Sequence, residues 1–194
     1  NHFAGQPFRV FRSENKLSRG AELPLPAKLN LFSFTTLKGT SNDLLYAHVS
    51  MCDYLHITTP GGAAIWESGD NFGGTESFFY NSENTDTEMI QPIYIQQRLL
   101  TLPSGEILVA QNDGFRALKR YRNFNKSRIV ALKWDGFALR ESWETADQGG
   151  YLADFTLADA DNDGQDELVM VIKFKQDNLL QKGRSSVVIY ELER

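Results

Sequence analysis

The chain has 194 residues, 41% of them hydrophobic, with a net charge of −5 and a pI of about 5.2, enough for one sizeable core. No run of Lys or Arg forms a stripe, which argues against a nucleic-acid partner, and no apolar stretch approaches the ~18 residues of a bilayer-spanning helix. With Cys52 as the only cysteine, no intrachain disulfide forms, and its thiol is expected to be a small buried hydrophobe.

Aromatic residues make up 12% of the chain, which suits pleated, half-buried surfaces, and apolar residues do not recur at helical spacing. Asn1 is not Met and no leader precedes it, so the natural N-terminus is expected to be missing. In chain order, short apolar or alternating runs predict strands over Phe8–Phe11, Leu44–Val49, Tyr54–Ile57, Ile107–Ala110, Ile129–Trp134, Leu168–Ile172 and Ser186–Leu192. Pro60-Gly61-Gly62 predicts a hairpin between Tyr54–Ile57 and Ala63–Ser68, and Asp135-Gly136 predicts one between Ile129–Trp134 and Phe137–Trp143.

Similar strands open at Leu44 (LLYAHV), Ile107 (ILVAQN) and Leu168 (LVMVIK), about 60 residues apart. Trp66-Glu67-Ser68 followed by Gly73-Gly74 has a counterpart in Trp143-Glu144-Thr145 followed by Gly149-Gly150. The wider spacing of that second pair reflects a polar insert over residues 77–88. Repeated groups of four short strands predict an all-β chain of β-propeller blades, about three and a half of them, within a larger ring. The expected divisions are a partial blade at 1–28, a blade at 29–74, a blade with the insert at 75–150 and a last blade at 151–194. In the partial blade, FRVFR is expected to pair across a loop with AELPLP.

The most informative segment is Asp159-Ala-Asp161-Asn-Asp163-Gly164-Gln165-Asp166-Glu167. It sets carboxylates at positions 1, 3, 5 and 9, which a hard dication seeking six to eight oxygens can gather around one centre. Gly164 permits the sharp turn, Gln165 is expected to offer its backbone carbonyl, and Asp166 to point outward. Position 12 is Met170 rather than Glu, and the flanks are strand-like, so this is a β–loop–β site and not an EF-hand. Calcium is the expected cofactor, since magnesium rarely uses an all-protein cage. The corresponding turns at Thr36–Leu44 and Thr101–Ile107 lack the acidic set, which fits a stabilising role for the third.

The phrase FTLADADNDGQDELVMVI resembles the FG-GAP/VCBS-type repeat, the calcium-bearing blade of integrin α-like propellers. Asp159, Asp161, Asp163, Gly164, Glu167 and Leu168 match its D-x-D-x-D-G-x-x-D/E-L pattern in order. The segments SRIVALKWDGFALRESWET and GGYLADFTLADAD are similar to bacterial cell-envelope proteins of the VCBS type. The resemblance implies a propeller of about six to eight blades, exported to the periplasm, the outer surface or the medium, that binds other macromolecules.

Other residues carry weaker signals. His2, His48 and His56 read as structural, and Glu67, Asp70, Glu141 and Glu144 as solvated strand-edge carboxylates. Phe78-Phe79-Tyr80 is expected to pack between blades. Arg116, Lys119, Arg120, Arg122, Lys126 and Arg128 are expected to form a solvated basic loop. No phosphate loop, dinucleotide fingerprint or nucleophile elbow is present. The expected function is non-enzymatic: a calcium-stabilised module that binds a protein or a glycan, or other copies of itself. The alternatives are a propeller domain of a secreted enzyme acting on polysaccharide or phosphoester, and a subunit of an envelope or filament assembly.

Overall fold

The computed structural model describes residues 7–23, 25–26, 29–80, 92–118, 121–175 and 183–192. All regular structure among them is β-strand, in antiparallel sheets. Three sheets are meanders whose strands pair in chain order. The first holds β3 (Phe34–Lys38), β4 (Leu44–Val49), β5 (Tyr54–Thr58) and β6 (Ala64–Asn71). The middle one holds β9 (Leu100–Thr101), β10 (Ile107–Leu118), β11 (Tyr121–Trp134) and β12 (Leu139–Glu144). The third holds β13 (Tyr151–Ala158), β14 (Glu167–Lys173) and β15 (Ser185–Tyr190). Two ribbons complete the description: β1 (Phe8–Ser13) with β2 (Lys16–Glu22), and β7 (Phe78–Tyr80) with β8 (Pro92–Tyr94). Among the described residues the sheets close neither a barrel nor a ring.

The runs ILVA and IVAL explain the stacking. Successive side chains in a strand point to opposite faces. Ile107, Val109, Val130 and Leu132 face one way and pack with Leu37, Leu45, Val49, Leu55 and Ile57 of the first sheet. Leu108, Ala110, Ile129 and Ala131 face the other way and pack with Leu152, Phe155, Leu168, Met170 and Ile172 of the third. A strand buried on both faces must be apolar at every position, which is why these runs do not alternate. Each such large side chain contributes about 1.5–3 kcal/mol by leaving water.

The turns follow their residues. Thr59 donates its N–H to the Ala63 carbonyl at 2.9 Å, with Gly62 at φ 84°. The Asp135 carboxylate accepts the N–H groups of Phe137 and Ala138, each at 2.8 Å, and Gly136 takes φ 101°. Those two backbone bonds, with Arg140 beside them, hold the Asp135 carboxyl down at about 2.

Three expectations are corrected here. Cys52 is exposed, because it lies in the β4–β5 turn, where the next residue, Asp53, takes the inward position at φ 64°. FRVFR pairs with Lys16–Glu22 and so meets AELPLP only at its start, where Phe8 stands opposite Glu22, because Glu14 at φ 49° lets the chain reverse in two residues. The arginines beside Tyr121 and Phe124 are not a solvated loop: they lie on the long arms of β10 and β11 and reach Asp53, which is 1% exposed. Arg122 donates to both Asp53 oxygens at 2.8 and 3.0 Å, Arg116 lies at 3.5 Å, and Gln96 donates at 2.6 Å. Lys126 and Arg128 pair with Asp147, and Arg128 also with Glu144. Lys119 and Arg120 lie outside the described residues.

Candidate metal centre

The strands β13 and β14 pair as far as Ala158 opposite Glu167, and the acidic loop spans the gap between them. Strand pairing therefore fixes the two ends of the loop, and local bonds shape its interior. Asp161 accepts the N–H of Asp163 at 3.1 Å, Asp159 that of Gly164 at 3.1 Å, and Asp163 that of Gln165 at 2.8 Å. Short polar side chains favour such bonds to nearby backbone, and they compete with regular structure. Asn162 at φ 67° and Gly164 at φ 89° supply the left-handed steps that coil the loop on itself. Gln165 also donates its side-chain amide to Asp163 at 3.1 Å.

The result is a cluster. One carboxylate oxygen from each of Asp159, Asp161, Asp163 and Glu167 lies within 4.8 Å of the others. Three of these side chains are exposed, while Glu167 is buried at 1% exposure. Its Oε2 accepts the N–H of Ala160 at 2.6 Å, and its Oε1 is buried without a hydrogen-bond partner. Among the described residues, no Lys, Arg or His forms an ion pair with any of the four.

This arrangement is unfavourable by itself. Two like charges about 4 Å apart repel by roughly 1 kcal/mol in water and about 4 kcal/mol near a protein surface. Burying an unpaired carboxylate adds several kcal/mol. A cation placed among the four oxygens reverses both effects. The donor set is oxygen alone, which suits a hard cation and not the softer metals that prefer nitrogen or sulfur.

The other candidates separate. His48 and His56 sit opposite each other on β4 and β5 with rings stacked at 5.3 Å. His56 contacts Glu67 at 3.3 Å. His48 is buried, and burial first, then the charge of His56, lowers its pKa to about 4. It is therefore neutral near pH 7. Glu67 and Glu144 lie on different sheets, each beside a basic partner. Among the described residues, the Asp159 group is the one set of three or more metal-ligating side chains gathered within 4.8 Å. His2 lies outside the described residues, as does the insert from residue 81 onward. Phe78 and Tyr80 are exposed, contrary to the packing expected of them; they stack edge-on with each other and, through Phe78, with Tyr94 of the paired strand. No described helix is long and apolar enough to cross a membrane.

Fold and site together define an all-β protein of stacked antiparallel meanders, carrying an acidic loop able to hold a metal ion. No family model matches the chain, and no curated protein or solved structure matches it closely enough to assign it to a family.

Proposed function

We propose that this chain is a non-enzymatic, calcium-stabilised binding module made of β-propeller-type blades of the FG-GAP/VCBS kind. The observation that carries the metal reading is Glu167: a buried carboxylate with one oxygen unpartnered, beside three aspartates and, among the described residues, with no basic residue paired to any of them. Calcium is the best fit among hard cations, because it accepts a crowded, all-protein oxygen set where magnesium keeps its waters. Blade architecture is supported by three meanders that share cores face to face and recur at the spacing of the sequence repeat. The cation fastens a loop that has little packing of its own, a structural role rather than a catalytic one.

Calcium outside the cell is abundant enough to fill a site of modest affinity, so the reading places the protein beyond the cytoplasm, with a protein or glycan as partner. Assembly with other copies is a second reading. It is favoured by the β1–β2 ribbon, where Phe8, Val10, Phe11 and Leu17 are exposed on a two-stranded element that is marginal in isolation.

The test is thermal unfolding in calcium and in excess chelator, for the chain and for Asp161→Ala. A ligand that binds only the folded state raises the midpoint. Calcium should raise it by several degrees, and Asp161→Ala should abolish the gain. If calcium and the substitution both leave the midpoint unchanged, the loop is an acidic turn and the proposal fails.

A further inference from the structure

This inference rests on the metal reading above and adds a residue from outside the loop. In the ladder between β14 and β15, Leu168 stands opposite Tyr190, and both pack into the core shared with the middle sheet. β15 ends at Tyr190, and continuing its register by one step sets the next residue, Glu191, opposite Glu167. Residues opposed in an antiparallel pair share a face, with Cβ atoms about 4.5–5.5 Å apart. Both side chains therefore lie on the face away from that core, at the end of the sheet where the acidic loop begins.

Glu191 is exposed, and no Lys, Arg or His pairs with it among the described residues. Glu191 is not one of the residues whose oxygens gather within 4.8 Å. It waits at the rim of the cluster on a side chain long enough to turn inward. Like charges opposed on a sheet are destabilising unless something of opposite sign lies between them. A calcium-sized ion takes six to eight oxygens, more than four carboxylates provide when each gives one.

We propose that Glu191 is a fifth acidic ligand of the bound cation, so that the ion staples the end of β15 to the loop between β13 and β14. The metal then fastens the third sheet across all three of its strands.

The experiment titrates calcium by calorimetry into the full chain, E191Q and D166N, and follows amide exchange over Ser185–Tyr190. Asp166 is the control: a carboxylate of the same loop outside the cluster. The expected result is that E191Q weakens calcium binding by about tenfold or more, as losing a supporting ligand does. D166N should cost less than about threefold, as an exposed charge does. Calcium should slow exchange of the β15 amides in the unmodified chain and not in E191Q. Affinity unchanged by E191Q, or reduced equally by both substitutions, overturns the proposal and leaves the loop site standing. If the unmodified chain takes up no calcium, the loop site itself falls.

Discussion

Two buried carboxylates at the ends of strands meet opposite circumstances. Asp53, in the turn after β4, is enclosed by Arg122, Arg116 and Gln96, all brought from other parts of the chain. Glu167, at the start of β14, has one backbone N–H and three further acids. The first anion is balanced by the fold itself; the second has no basic partner among the described residues. Buried charge is tolerated only when compensated, so the kind of compensation separates a structural ion pair from a ligand site. His48 shows a third solution: it is buried and stays neutral.

The comparison predicts three different responses. The largest is Asp53→Ala, which strands Arg122 at the joint between the first sheet and the β10–β11 arms. Breaking a buried pair by removing one member costs about 3–5 kcal/mol. Denaturant unfolding should show that loss equally with calcium and with chelator; a calcium-dependent loss would erase the distinction between the two carboxylates.

Next comes pH. With His48 held at about 4, against 6.5 in the unfolded chain, the unfolded state takes up the proton first as pH falls. Stability should decline from about pH 6.5 downward and level off below about 4, a change on the order of 3 kcal/mol. In His48→Gln that slope should vanish between pH 7 and 5, and equal slopes in the two proteins would refute the assignment.

The third response is Glu167→Gln. In chelator the substitution relieves repulsion and should leave stability equal or slightly higher. In calcium at 100 times its dissociation constant, the chain should gain about 2.7 kcal/mol and the variant little of it. A matching gain in the variant would mean that Glu167 is not a ligand.

Much of the fold was legible because its signals are local. ILVA and IVAL mark strands buried on both faces, and Asp135-Gly136 marks its turn within a few residues. The acidic cluster was legible for the same reason: four carboxylates within nine residues need no knowledge of distant parts. The joint at Asp53 was not, since Arg122 lies 69 residues away and only the stacking of sheets brings them together. The basic cluster therefore reads as a solvated loop in the sequence, though two of its members are committed to an internal anion. Cys52 misleads similarly: its composition suggests burial, but the backbone of a tight turn decides which neighbour goes inside. Glu191 becomes visible only once the register of β15 against β14 is known.

The middle sheet has a consequence for how the chain reaches its native form. Its apolar residues on both sides find no shelter until the sheets before and after it are in place. None of the three meanders is thus an autonomous folding unit, and the stack should form and dissolve as one cooperative body. A truncation at either end would be felt in the hydrogen bonds of β10 and β11, well away from the cut.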